Sequence, residues 1–229
     1  ILSQALNNLD HAFFLSPADR LNAIENYGIE EKKTSIMPFC VDTDFWRPDK
    51  DTPCENWIFS VGQDQNRDFQ TLIRTPGNHE IRIHTSLPLD LSRLPQNVTV
   101  SNGSFSAQDR LTDIELRKLY NRCLCVVVPL KDVLQPSGQS VTLQAMSCGK
   151  PVILTKTPGL SDSEVLKSGV NCILVSPEDP VQIATEILKL KSDPEYYNRI
   201  SMAARDTIVK HFPLSKMNSA FVRLLDLNF

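Results

Sequence analysis

The residues best suited to chemistry form the segment Ser137-Gly138-Gln139-Ser140, which leads into a helix predicted to begin at about Ser140. The first N–H groups of a helix have no partner within it, and the helix dipole adds partial positive charge at that end. Gly138 lets a ligand approach the backbone closely. The segment therefore predicts an anion site. The alternative interpretation is an ordinary capped helix with a polar outer face.

Polar side chains next to this segment could extend the site. Gln144 lies one helical turn after Ser140, so the two share a face of the predicted helix. This spacing suits a phosphate at Ser140 and a hydroxylated ring at Gln144. After a later strand, Thr157 and Gly159 belong to a turn that is expected to line the same crevice, and Lys156 is either a phosphate ligand or a solvated loop lysine.

A second candidate loop, residues 62–68, reads Gly-Gln-Asp-Gln-Asn-Arg-Asp. Gly62 allows a ligand near the backbone. Arg67 opens the following helix in this interpretation, where its guanidinium and the helix N-terminus can face one phosphate. The alternative is a polar turn with a solvated arginine. His84, at a strand end, is expected to pack or to line the crevice, because the four histidines form no acid–base constellation.

Apolar runs of strand length alternate with helix-like stretches along most of the chain. Near-continuous apolar runs such as residues 125–128 are typical of parallel strands covered on both faces. Helix starts carry capping signals: Thr112 with Glu115, and an Asp-Pro pair at 179–180 and at 193–194. The strand candidates are residues 12–15, 57–61, 80–84, 98–101, 124–129, 151–154 and 172–175. The alternation predicts an α/β fold with a doubly wound, Rossmann-like parallel sheet, which binds ligands in the loops after residues 61, 129 and 154.

Composition excludes several classes of function. A net charge of -3 over 229 residues argues against nucleic acid as the main partner. No apolar stretch has the length of a membrane span and no secretory signal is visible, so at most a peripheral membrane contact is expected. The six cysteines are scattered without zinc spacing, so no metal is expected. A reducing cytoplasm fits them, and the sequons at Asn97 and Asn102 are then interpreted as chance.

A polar stretch with two prolines, residues 48–53, marks a boundary in the chain. Residues 1–50 are predicted to be the tail of one domain with a linker, and residues 51–212 to form the ligand-binding domain. Residues 213–229 are predicted to form a terminal helix whose apolar face carries Met217, Phe221, Leu224 and Leu225. Because the chain begins with Ile1 and both ends need something to pack on, a fragment of a longer protein is favoured.

Taken together, these segments resemble the large retaining glycosyltransferase family four, which has the GT-B fold. Residues 144–153, Q-A-M-S-C-G-K-P-V-I, are similar to the family's E-A-M-A-C-G-K-P-V-I signature. Residues 169–179 follow its G-x-N-G-x-L-V-x-P-x-D pattern, after the Thr157-Pro158-Gly159 turn. Residues 36–48 are similar to its I-P-x-G-V-D-T-x-x-F-x-P linker. The matches cover nearly the whole chain in the family's order.

The resemblance implies the C-terminal, donor-binding half of a GT-B glycosyltransferase. The expected reaction transfers a sugar from a nucleoside diphosphate sugar, a UDP-sugar in particular, with retention and with neither metal nor cofactor. The acceptor would be a glycan, a lipid or a small molecule, held mainly by an N-terminal domain missing from this chain. Residues 1–50 would end that domain, and the terminal helix would pack back on it. The enzyme is expected in the cytoplasm, with a membrane face as one option, and this fragment alone is expected to be inactive.

By position, the resemblance assigns a ribose contact to Gln144 and the diphosphate to the two glycine-containing loops. The charge that develops on the departing diphosphate would be taken up by an arginine and by helix N–H groups. The donor- and phosphate-binding candidates are Gly62, Gln63, Arg67, Ser137, Gly138, Gln139, Ser140 and Val141, and the candidates that line the crevice are His84, Thr157 and Gly159. No catalytic residue is assigned.

The sequence departs from the family pattern at three positions. Pro136 and Gln144 stand where the E-x7-E motif has glutamates, and Gln63 stands where an arginine is expected. Gln144 can still hydrogen-bond a ribose hydroxyl, more weakly than a carboxylate does. Pro136 cannot replace the first glutamate, which in the family contacts the donor sugar. A further departure is the Ser-Gly start at residues 137–138 in place of the usual Gly-Phe-Gly, which leaves the donor and the stereochemical course open. Two other functions remain as alternatives: a non-catalytic nucleotide-sugar-binding module or subunit of a split glycosyltransferase, and a relative of the sugar-nucleotide epimerases.

Overall fold

A computed structural model describes residues 8–102, 111–160 and 163–225, and its centre is a six-stranded parallel sheet. The strands are β1 (Ala12–Phe14), β2 (Thr34–Ile36), β3 (Ile58–Val61), β4 (Ile81–Thr85), β5 (Val98–Asn102), β6 (Cys125–Val128), β7 (Val152–Thr155) and β8 (Ile173–Val175). The order across the main sheet is β5-β4-β3-β6-β7-β8, and β1 pairs with β2 in a small parallel sheet of their own. The prediction of a doubly wound α/β sheet is confirmed.

Helices connect the strands and carry the capping signals found in the sequence. They are α1 (Pro17–Tyr27), α2 (Phe69–Ile73), α3 (Asp113–Arg122), α4 (Gln139–Ser147), α5 (Pro180–Ser192), α6 (Pro194–His211) and α7 (Leu214–Leu225). At the start of α3, the Thr112 N–H donates to Glu115 at 2.8 Å and the Thr112 hydroxyl accepts from the Glu115 N–H at 3.3 Å. Asp179 and Asp193 cap α5 and α6, as predicted.

The central strands β3, β6 and β7 are buried on both faces, because their side chains alternate between two hydrophobic clusters. Phe59, Val126 and Leu154 belong to a cluster on one face of the sheet. Ile58 and Val127 belong to the cluster on the other face, which α5 and α6 also cover. This arrangement explains the near-continuous apolar runs, since a strand with no solvated face has no polar positions to alternate with.

The order of the strands reverses between β3 and β6. The chain runs from β3 outward to β4 and β5, and it then returns to β6 on the other side of β3. Loops that follow two such strands diverge and leave a crevice at the carboxyl end of the sheet. Both candidate loops, after β3 and after β6, begin at this crevice. The fold therefore brings together two segments that are about seventy residues apart in the sequence.

Residues 40–48 pack against the main sheet. Val41 and Trp46 are buried in the same cluster as Phe59. Arg205 of α6 donates to the carbonyl oxygens of Thr43 and Trp46 at 3.0 and 2.9 Å. The linker is thus held by the part of the chain that follows it, and the division at residue 50 stays a prediction.

The remaining sequence predictions have mixed outcomes. Strand β2 was not predicted, because Thr-Ser-Ile is too short and too polar to form an apolar run. Met217 of α7 packs against the main core and Phe221 is exposed. Residues 226–229 and the side chains of Leu224 and Leu225 lie outside the described residues, as do Gly103 and Ser104 of the second sequon.

None of the described helices has the length and apolar character that a membrane crossing requires.

Candidate anion-binding site

The loop after β3 places Arg67 next to the loop after β6. The N-cap of α2 is Asp68, whose carboxylate accepts from the Thr71 N–H at 3.1 Å. Arg67 therefore precedes the cap and does not open the helix, which corrects the sequence interpretation. The Asp68 N–H donates to the carbonyl of Pro129 at 3.0 Å, and the Lys131 N–H donates to that of Asn66 at 2.8 Å. These bonds fix the two loops side by side.

The Arg67 side chain is only 3% exposed, so the alternative of a solvated arginine in a polar turn is wrong. Its Nε donates to Asp64 Oδ2 at 3.1 Å. Burial lowers the pKa of the Arg67 guanidinium, and the Asp64 carboxylate opposes this shift. A buried cation requires partners, because the desolvation of a charged group is costly.

Two glycines make room for the guanidinium. A Cβ atom on Gly62 would lie 2.7 Å from Arg67 Cζ, and one on Gly138 would lie 3.3 Å from Arg67 Nη1. Gly138 also has a φ of +74°, which favours glycine, and its Cβ would lie 2.6 Å from Val128 Cγ1. Both predicted glycines thus have a definite role, because a larger residue at position 62 would displace Arg67 and one at position 138 would displace Val128 or the turn itself.

One nitrogen of the guanidinium is buried next to Gly138 without a partner among the described residues. Arg67 Nη1 is buried and has no hydrogen bond within the described part of the chain. It lies beside Gly138, which is the N-cap of α4 and has no side chain to cap the first N–H groups of that helix. Residues 139–141 form the first turn of α4. A cationic donor and the positive end of a helix dipole therefore meet at one point, where an anion would satisfy both.

A carboxylate that the sequence interpretation did not single out connects the two loops. The Ser137 hydroxyl donates to Asp64 Oδ1 at 2.7 Å, and the Asn66 N–H donates to the same oxygen at 2.9 Å. In the sequence, an Asp three residues before an Arg is a signal for the ion pair between Asp64 and Arg67. That spacing does not reveal Ser137, which lies on the other loop. We call Asp64, Arg67, Ser137 and the backbone of Gly62 and Gly138 the crevice cluster.

Gln144 and Gln139 lie on different sides of α4. Gln144 is partly exposed, and its Oε1 accepts from the hydroxyl of Tyr120 at 3.4 Å. Tyr120 is fully buried, and burial raises the pKa of its hydroxyl. The Gln139 side chain lines a small cavity with Thr142 and Leu160, and its Nε2 is buried with no partner among the described residues. The backbone of Gln139 belongs to the turn near Arg67, and its side chain lines this cavity.

The other candidate residues surround the crevice cluster. Gln63 and Ser140 are partly exposed, and Val141 is buried. The carbonyl of His84 accepts from the Gly62 N–H at 3.2 Å, and its Nδ1 lies 2.8 Å from the Ser101 hydroxyl. Burial lowers the pKa of the His84 imidazole. His84 is therefore a buried polar residue of β4. Its carbonyl binds Gly62 and its imidazole binds Ser101 of β5.

The turn after β7 packs against the loop after β6. The Gly159 N–H donates to the carbonyl of Val133 at 3.1 Å, and a Cβ on Gly159 would lie 2.7 Å from the carbonyl oxygen of Gln135. Thr157 is buried and Lys156 is exposed. Gly159 thus packs against the loop that carries Ser137. Among the residues that the structure describes, no group of three His, Cys, Asp or Glu side chains is placed to hold a metal ion.

Comparison with known proteins gives one family match. The family profile described as glycosyl transferases group 1 matches residues 68–193, which is more than half of the chain. An uncharacterized glycosyltransferase of Methanocaldococcus jannaschii is 40% identical over 78 residues. These residues are 34% of this chain and 19% of the archaeal protein.

Solved structures share the fold at low sequence identity. HepE of Anabaena, solved with UDP and glucose, has a TM-score of 0.80 at 17% identity, over 99% of this chain and 65% of its own. Sucrose-phosphate synthase of Thermosynechococcus elongatus has a TM-score of 0.77 at 18% identity, over 98% of this chain and 59% of its own. This chain therefore spans less than two thirds of the length of either structure.

Proposed function

We propose that this chain, which belongs to the glycosyl transferases group 1 family, binds the diphosphate of a nucleoside diphosphate sugar in the crevice cluster. The observation that carries this proposal is Nη1 of Arg67, which is buried at the N-terminus of α4 and has no partner among the described residues. A diphosphate oxygen accepts from a guanidinium and from helix N–H groups at the same time. Such a ligand offsets the cost of keeping this nitrogen buried without a partner.

The position of the crevice cluster also suits a nucleotide. It lies where the strand order reverses, which is where open α/β sheets bind their ligands. Gln144 lies farther along α4 and can hydrogen-bond a ribose hydroxyl through its amide. We take UDP as the first nucleotide to test, because HepE was solved with UDP. The sugar would then extend toward Pro136 and Ser137.

The proposed reaction is transfer of a sugar to a glycan, lipid or small-molecule acceptor. Arg67 and the first N–H groups of α4 would take up charge that develops on the departing diphosphate. This contribution needs no metal, and with it we propose a retaining, metal-independent transferase in the cytoplasm. The acceptor site would lie mainly in an N-terminal domain, so we expect this chain alone to bind the donor without completing the transfer.

Pro136 favours a second candidate function, binding without catalysis. A proline side chain has no hydrogen-bonding group, so it cannot orient a sugar hydroxyl as a carboxylate would. A subunit that holds the nucleotide sugar for a separate acceptor subunit would not need that contact. Donor consumption by a protein that contains both domains, compared with the same protein carrying Pro136→Glu, separates the two. Activity before the substitution supports the enzyme, and activity only after it supports the binding module.

Isothermal titration calorimetry of this chain with UDP, GDP and ADP tests the binding proposal. We expect UDP to bind with a Kd below about 1 mM. A Kd of this size corresponds to a standard free energy of binding of roughly −4 kcal/mol. The three nucleotides share the diphosphate and differ in the base, so their ranking also identifies the nucleoside. If none of them binds at millimolar concentration, the proposal is wrong.

A further inference from the structure

Asp64 is exposed but tightly held. Its side chain is 43% exposed, so burial does not fix its position. Three donors do: Arg67 Nε at 3.1 Å, the Ser137 hydroxyl at 2.7 Å and the Asn66 N–H at 2.9 Å. Each carboxylate oxygen takes part, Oδ2 with the arginine and Oδ1 with the other two. The carboxylate therefore links both loops of the crevice cluster.

The hydrogen bond at Arg67 Nε determines the direction in which Nη1 of the same guanidinium points. Guanidinium is planar and rigid, so a bond at Nε sets the direction of Nη1 as well. With Nε bound to Asp64, Nη1 lies beside Gly138. The bond from Ser137 to the same carboxylate holds the residue that precedes Gly138. One side chain thus sets the relative position of the cation and of the turn that starts α4.

We infer that Asp64 is a positioning residue for diphosphate binding, which acts by orienting Arg67 and by holding the Ser137–Gly138 turn in register. This inference rests on the proposed function, because it assigns Asp64 a role in the same site. The charge of Asp64 by itself would repel a diphosphate. Its net effect is favourable because an arginine in the wrong orientation loses the charge-assisted bond to phosphate.

Binding of UDP to Asp64→Ala tests the inference, with uridine as the probe that lacks phosphates. We expect the Kd for UDP to rise about tenfold, which lies within the range of couplings measured between residues of one hydrogen-bond network. The Kd for uridine, measured by NMR titration, should stay unchanged. In an Arg67→Ala background, Asp64→Ala should cause a smaller loss than in the unmodified chain, because the part of its effect that passes through the arginine is already absent. Asp132→Ala, which removes an exposed carboxylate from the loop after β6, is the matched control.

Each other outcome overturns a definite statement. If Asp64→Ala binds UDP as tightly as the unmodified chain or more tightly, the carboxylate does not support binding and the inference is wrong. If the losses for UDP and uridine are equal, or if the two substitutions are additive, Asp64 has only a structural role. If the unmodified chain does not bind UDP, GDP or ADP, the proposed function itself fails, and the inference fails with it.

Discussion

Arg67→Ala is expected to weaken UDP binding by about 1.5–3 kcal/mol, which is the usual contribution of a hydrogen bond to a charged group. The reason is the buried Nη1, which has no partner among the described residues and lies at the N-terminus of α4. Calorimetry gives the change directly as a ratio of dissociation constants. Circular dichroism confirms first that the variant is folded, because removal of this side chain leaves a void below Gly62 and Gly138.

Two control variants separate the charge of Arg67 from its shape. Arg67→Lys keeps a positive charge but loses the planar fork, so it should recover only part of the affinity. Arg74→Ala removes an exposed arginine at the end of α2, and UDP should bind it as it binds the unmodified chain. Equal UDP affinity in the unmodified chain and in Arg67→Ala would show that the guanidinium does not contact the nucleotide.

Gly138→Ala is expected to reduce both stability and UDP binding. A residue other than glycine at a φ of +74° costs about 1–2 kcal/mol from backbone strain alone. The new methyl group would also lie 2.6 Å from Val128 Cγ1 and 3.3 Å from Arg67 Nη1, so the turn or the guanidinium has to move. Urea unfolding gives the loss of stability, and titration with UDP gives the loss of affinity.

Gly169→Ala is the matched control for this prediction. Gly169 has nearly the same φ, +73°, but a Cβ there meets no atom of the described residues within 4 Å. The control should therefore lose only the strain energy and should bind UDP normally. Gly138→Ala should be less stable than the control and should bind UDP more weakly. If the two variants lose the same stability and bind UDP equally well, the close approach at Gly138 has no role in the site.

The predicted strands of the main sheet were all found, since their signal is local. A strand buried on both faces reads as an uninterrupted apolar run, as in Cys125–Val128. The helix starts at Thr112, Asp179 and Asp193 are equally local, because a cap and its partner lie three residues apart. Strand β2 was missed for the opposite reason. Its three residues are held by pairing with β1, and no pattern within them reports that contact.

The position of the candidate site in the fold could be predicted from the sequence, but its side-chain contacts could not. Parallel strands leave their carboxyl ends at one edge, so the loops after β3 and β6 could be assigned to one crevice from the sequence. The burial of Arg67 between Gly62 and Gly138 depends on how these loops pack, and the same holds for the bond from Ser137 to Asp64. Such contacts join residues far apart in the chain, and residue types alone do not determine them.

NMR titration of the 15N-labelled chain with UDP tests the central claim most directly, because it both detects binding and locates it. We predict that the largest amide shifts fall in residues 62–68 and 137–144, which surround the crevice cluster. The Arg67 Nε–H signal should shift with them and saturate at the same UDP concentration. The absence of shifts at millimolar UDP, or shifts confined to residues outside these two segments, would contradict the account.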